Sequence, residues 1–222
     1  MLCYATVTFT LTPTQDTPMD AILQRISRIY AAIGDIEEDD PNKFKATIVQ
    51  TNKIKGIHID FRGGFSDDEL TNYAHTLIHN ITNLQGHLRQ WAKDNEHDKT
   101  KVDQTFKNSL ELQIIKDLSN NDKHPYPPRY SYSGKYPQLI NINRVMQLKI
   151  QAKKGSTIGM TLGADGVPKI VGDGTAKAVI TGDVVDNDNN RIGDLHEIAT
   201  KAIEAWEQLL AYFGLTDITN GT

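Results

Sequence analysis

Three groups of residues in this chain carry side chains whose types and spacing could do chemistry. The first is the run Asp117-Leu118-Ser119-Asn120-Asn121-Asp122-Lys123-His124. If it ends a helix, residues step about 100° around the axis, and Asp117, Asn121 and His124 fall on the arc shared by Phe106 and Leu110. A carboxylate on a core-facing stripe needs partners, because burial is costly unless it is hydrogen-bonded or paired. Two uses are open. Asp117 orients or polarises His124 as an acid–base pair while neighbours position a ligand, or Asp117 and Asn121 simply cap the helix end and tie down the following loop. The candidate catalytic residues are therefore His124 and Asp117. The expected ligand-binding set around them is Tyr73, Asn80, Asn120, Asn121, Lys123, Tyr126 and Arg129.

The second group is His75, His79, Asn83 and His87, spaced one helical turn apart. Histidines at this spacing can chelate a metal. Yet the stripe lies largely opposite a leucine seam, and Thr76-Leu77-Ile78 replaces the Glu of a zinc-protease motif, so a solvated or second-interface face without metal is expected. The third group, Asp186, Asp188, Asn190, Asp194 and Glu197, occupies the first, third, fifth, ninth and twelfth positions of a calcium loop. Arg191 stands where that loop needs Gly, and a strand rather than a helix precedes it, so an Asx-rich turn is the expected structure. Lys123, Arg129 and Lys135 alternate with Tyr126, Tyr130, Tyr132 and Tyr136, a pattern suited to a nucleotide or single strand, or to a connector packing its rings on helices. The glycines from Gly155 to Gly174 open no phosphate loop, no nucleophile elbow is present, and no cofactor is called for.

These groups must be positioned by an alternation of strands and helices. Cys3, Ala5, Val7, Phe9 and Leu11 share one face of a half-buried strand, and Thr17-Pro18-Met19-Asp20 reads as a capped helix start whose stripe is Ile22, Ile26, Ile29 and Ile33. The acidic run Glu37 to Asp40 reads as a loop. Residues 44–50 and 57–61 form an expected hairpin. Ser66-Asp67-Asp68-Glu69 is a capping box opening a long helix with Leu70, Leu77, Ile81, Leu84, Leu88 and Trp91 on its seam. After a polar turn, Phe106, Leu110, Ile114 and Leu118 recur every fourth residue, predicting a second helix antiparallel to the first. Four prolines and four tyrosines between His124 and Pro137 break the helical pattern. Beyond them, alternation at 146–152, 158–162 and 178–185 predicts a Gly-rich antiparallel meander, and Ile198, Ala202, Trp206, Leu209 and Phe213 a closing helix. The expected class is α+β: a helical hairpin and a C-terminal helix packed with N-terminal strands and the meander. A single interwoven domain over 1–222 is expected, with a sub-boundary near 125–140 that would divide 1–124 from 140–222.

Composition narrows the function. The chain has 222 residues, 24 Lys and Arg against 28 Asp and Glu, and a net charge of −4, which disfavours a general coat for nucleic acid. The lone Cys3 can close no internal disulfide. With neither a signal-like start nor a run of about 18 apolar residues, a cytoplasmic, non-membrane protein is expected.

The run Asp117 to His124 resembles a D-hydrophobic-x-N-x-x-K-H ending of uncharacterised bacterial helical-hairpin proteins. It is also distantly similar to the HEPN helical-bundle family, which includes RNA-cleaving toxins and defence proteins. Asn120 and His124 match the last two elements of that family's Arg–Asn–His motif, and Ser119 occupies the place of the Arg. The reading favoured by the residues is a ligand- or partner-binding protein with a polar site at the end of the hairpin. The resemblance implies an alternative, a metal-independent ribonuclease using His124. Small molecule, protein and RNA stay open as partners, as does a homo-oligomer.

Overall fold

The computed structural model describes residues 22, 24–29, 31–32, 37–38, 45–50, 55–124, 128–149, 154–163 and 168–215. The strand expected over 3–11, the helix start at 17–20 and Tyr126 lie outside them. The protein is α+β. Helices α1 (Asp67–Asp94), α2 (Thr100–Asn108) and α3 (Leu110–Lys123) precede the long strands of the main sheet, and α4 (Leu195–Tyr212) closes the fold.

The helix ends follow from local chemistry. Ser66 Oγ accepts the Glu69 N–H, and the Glu69 carboxylate accepts the Ser66 backbone N–H, which satisfies donors that the first turn of α1 leaves open. Asp194 caps α4 by accepting the His196 and Glu197 N–H groups. The single helix expected over Phe106 to Leu118 is two. Ser109, at φ −105 and ψ 113, ends α2 and caps α3, its side chain accepting the Leu112 N–H. Leu110 is consequently 44% exposed rather than on the apolar stripe.

Two short antiparallel hairpins accompany a larger sheet. Strands β2 (Lys45–Gln50) and β3 (Lys55–Asp60) pair as the alternation predicts. In the main sheet β7 (Thr175–Val185) pairs antiparallel with β4 (Gln138–Lys149), and also with β1 (Glu37–Glu38) and β8 (Arg191–Asp194). Glu37 and Glu38 thus form a short strand, not the expected loop. The meander is interrupted too, because β5 (Ile158–Leu162) and β6 (Pro168–Gly172) make a hairpin of their own between β4 and β7. The β4–β7 register slips between Ile140 and Asn143. Gly182 faces that irregularity, and a Cβ there would stand 2.8 Å from Leu139 Cδ1.

One apolar cluster joins these parts. Ile22, Ile26 and Ile29 pack with Leu77, Leu84 and Leu88 of α1, Ile114 and Leu118 of α3, Ile180 and Val184 of β7, and Trp206 of α4. Leu77, Leu84, Phe106 and Ile114 belong to this one core, as the antiparallel pairing of the hairpin predicts. No described helix is long and apolar enough to cross a membrane.

Candidate functional site

Asp117 is buried, 1% exposed. Its carboxylate accepts four hydrogen bonds from the connector between α3 and β4: Ser131 Oγ at 2.7 Å, Tyr132 N–H at 2.8 Å, Ser133 N–H at 2.9 Å and Ser133 Oγ at 2.7 Å. Those donors offset both desolvation and the unfavourable dipole near a helix C-terminus. Asp117 is therefore a clasp for the loop, the second of the two uses open to it, and His124, its expected acid–base partner, is not among its donors. His124 is exposed and closes α3, its backbone N–H reaching Asn120 O. Asn121 Nδ2 donates instead to Pro137 O at 2.6 Å. Tyr73 packs edge-on against Phe65, ring centroids 5.5 Å apart. The Asp117–His124 acid–base pair is thereby corrected: helix phase brings Asp117 inward while His124 leaves the helix.

The polar convergence at this end of the hairpin has a different composition. The antiparallel pairing sets Thr82 against Ile115, where its Oγ1 donates to the backbone carbonyl at 3.4 Å. One turn toward the start of α1, His79 therefore meets the end of α3. Its Nδ1 lies 2.8 Å from Ser119 Oγ and its Nε2 2.7 Å from Asp122 Oδ2. His75 Nδ1 lies 3.5 Å from Asp122 Oδ1. The His79 hydrogen bond holds the Asp122 carboxyl below the usual carboxylate range against partial burial, helped by His75, His79 and Lys123. The donor atoms of His75, His79 and Asp122 all lie within 4.8 Å of one another, as ligands of one metal ion would. A cavity of about 240 Å³ adjoins them, lined by His75, Leu118, Asn121, Asp122, Gln138 and Leu139. Of the seven ligand-binding residues expected from the sequence, Asn121 lines it; Tyr73, Asn80, Asn120, Lys123 and Arg129 do not.

Of the two faces expected for the histidine stripe, solvated or second-interface, His75 and His79 lie on the second, against the end of α3. Ala74, Ile78 and Thr82 are buried beside the leucine seam, because α1 packs against both α3 and α4. The buried arc is wider than the leucines mark, and His75 and His79 sit on its edge. His87 belongs elsewhere: burial holds its imidazole below the usual range, with Arg25 and Arg28 acting the same way.

Farther along the same seam, α1, α2, α3 and the connector enclose a groove of about 820 Å³. Gly86 leaves room on α1, with nothing within 4 Å of where a Cβ would stand. Arg89, Lys107 and Lys116 line the groove, with Asp103 as its acidic residue. Asp103 is engaged by Arg89 at 3.3 Å. Burial pushes the Lys116 ammonium below the ordinary lysine range, and Lys123 adds to the effect. Tyr130 and Tyr132 stand over this basic lining as an edge-to-face pair, centroids 5.0 Å apart, with Tyr132 also against Phe106. Tyr130 is 65% exposed and Tyr132 40%, so both rings keep open surface.

In the third group, Asp186 accepts the Asp188 and Asn190 N–H groups, and Asp194 is committed as the α4 cap. This is the Asx-rich turn expected from the sequence. No family model matches this chain, and no curated protein or solved structure matches it.

Proposed function

We propose that this protein binds an anionic ligand bearing a planar ring, of the chemistry of a nucleotide, in the groove beneath the Tyr-rich connector. The observation that carries this reading is the imbalance of the groove: three cations face one carboxylate, in a chain whose net charge is −4. A cation that burial and a like charge both disfavour gains most from an incoming anion. The two tyrosine rings supply the other half of the recognition, since a ring stacked on an aromatic face contributes about 1–3 kcal/mol without hydrogen-bond readout. The volume lies within the range of about 300–1,000 Å³ common to small-ligand sites. The reading is a binding function, as the sequence favours, moved from the surroundings of His124 to the flank of the hairpin.

Calorimetric titration of the full chain with nucleoside mono- and triphosphates tests it. Saturable binding should weaken with added salt. Tyr130→Ala should reduce affinity about tenfold, the equivalent of one lost stacking contact. Lys116→Gln should abolish much of the remainder while leaving the fold intact, because it removes a charge that the folded state disfavours. Absence of binding across the panel, or binding indifferent to both substitutions, would refute the proposal.

A further inference from the structure

We infer that His75, His79 and Asp122 form a zinc site with an open coordination position facing the cavity at the end of the α1–α3 hairpin. The inference does not depend on the ligand groove, which lies elsewhere on the seam and shares none of these residues.

Ligand type and placement come first. Two histidines at i and i+4 on one helix face are a zinc-binding pair, and a carboxylate from a second element completes a three-ligand set of the kind that leaves a fourth position for water or substrate. Zinc bonds of about 2.0–2.2 Å in a tetrahedral arrangement place neighbouring donor atoms roughly 3.4 Å apart. The 3.5 Å between His75 Nδ1 and Asp122 Oδ1 already has that value. The His79 Nε2 to Asp122 Oδ2 contact, 2.7 Å, is of hydrogen-bond length, and opens by less than about 1 Å to admit the ion. Asp122 is on the exposed last turn of α3, where such a movement displaces little.

The surroundings point the same way. His75 Nδ1 is buried and makes no hydrogen bond, despite its proximity to Asp122. A ring nitrogen shielded from water and making no hydrogen bond is a group that a metal bond would satisfy. Asn121 Oδ1, on the same cavity, is also buried without a partner. It is an acceptor, and a water bound at the fourth position is a donor. Both orphans therefore acquire partners from one hydrated ion. Ser119, fully buried, holds His79 from behind through Nδ1. A hydroxyl can accept as well as donate. With zinc on Nε2, the ring carries its proton on Nδ1 and donates it to Ser119 Oγ, the outer contact that commonly fixes a zinc-bound histidine. Protons compete with the ion for the ligating ring nitrogens, so affinity should fall as pH is lowered.

Nitrogen and oxygen ligands without thiolate suit zinc and the neighbouring late first-row ions. Zinc is therefore the probe, and cobalt its spectroscopic substitute. After treatment with a chelator and its removal, the full chain should bind one zinc per molecule by calorimetry, and cobalt should give the intense visible bands of a four-coordinate site. Asp122→Ala and His79→Ala should each weaken zinc binding at least 100-fold. His87→Ala, in the same stripe but beside Arg25 and Arg28, should leave it unchanged. Ser119→Ala should reduce affinity by about 10–100-fold, the usual effect of losing an outer-shell partner. Circular dichroism distinguishes loss of the site from loss of the fold, and His75→Gln provides a mild variant at the half-buried ligand. If the chain takes up no stoichiometric zinc, or if binding survives Asp122→Ala and His79→Ala, the residues are an ordinary His–Asp ion-pair cluster and the inference is overturned.

Discussion

Replacing Asp117 by Ala is the most informative perturbation of this fold, because the residue is buried in α3 yet bonded entirely to the loop beyond it. Four donors converge on one carboxylate, two backbone N–H groups and two serine hydroxyls. If the connector kept its place in Asp117→Ala, the two backbone N–H groups would be stranded, while the two hydroxyls, 3.3 Å apart, could turn to each other. At about 1–3 kcal/mol for each unsatisfied buried donor the cost would be about 2–6 kcal/mol. The chain has a cheaper route. Tyr132 is partly exposed and the connector lies at the surface, so 131–133 can lift and recover water, sacrificing the Tyr132–Phe106 contact and the clasp. The expected loss is about 3 kcal/mol, the scale for removing one partner of a buried charged network. Asp117→Asn distinguishes hydrogen bonding from charge. The amide can present its oxygen to one backbone N–H, but its nitrogen then faces the other, and only the hydroxyls can reverse their roles. A cost of about 1–2 kcal/mol follows, between wild type and Ala. Urea denaturation measures both, and hydrogen exchange should show 131–133 losing protection before the core. An Asp117→Ala protein within about 0.5 kcal/mol of wild type would refute the clasp.

Two other substitutions test separate joints of the fold. The Asp186 carboxyl is held below the usual carboxylate range chiefly by the Asn190 N–H; a depressed folded-state pKa adds stability above the unfolded value, near 4, that is lost as pH falls through the folded one. The stability advantage of wild type over Asp186→Asn should therefore shrink on acidification below about pH 4, and calcium should leave the melting temperature of either unchanged; an advantage constant with pH would contradict this. Gly63→Ala should destabilise by about 1–2 kcal/mol in the same denaturation assay, because residue 63 has φ +64 and its Cβ would stand 2.6 Å from Arg144 Nη1, beside the Phe65 ring over which that guanidinium lies.

What could be read from the sequence was what depends on one element at a time. The capping box at Ser66, the leucine seam, the closing helix and the β2–β3 hairpin follow from local sequence, and the structure has them. The break at Ser109 escaped that reading because Phe106, Leu110, Ile114 and Leu118 keep their spacing across it; a serine that ends one helix and caps the next leaves no gap in the pattern. The burial of Asp117 was legible from helix phase, but its partners were not, since Ser131 and Ser133 sit in a stretch whose prolines and tyrosines announce only irregularity.

The His–Asp cluster was hidden for a different reason. Periodicity places a residue relative to its own helix axis, whereas this cluster depends on how widely the neighbours of α1 wrap around it and on the register of α1 against α3. The first decides whether His75 and His79 meet solvent or protein, and the second whether Asp122 arrives opposite them. A usable signal was nevertheless present. Once Asn95 to Thr100 is taken as the turn of an antiparallel hairpin, residues near His75 and His79 must oppose residues near Asp122. The last two turns of α3 then serve three partners at once: Asp117 clasps the connector, Asn121 bonds Pro137 at the entry to β4, and Ser119 with Asp122 grips His79. Loop, sheet and α1 are thereby referred to one short stretch of helix.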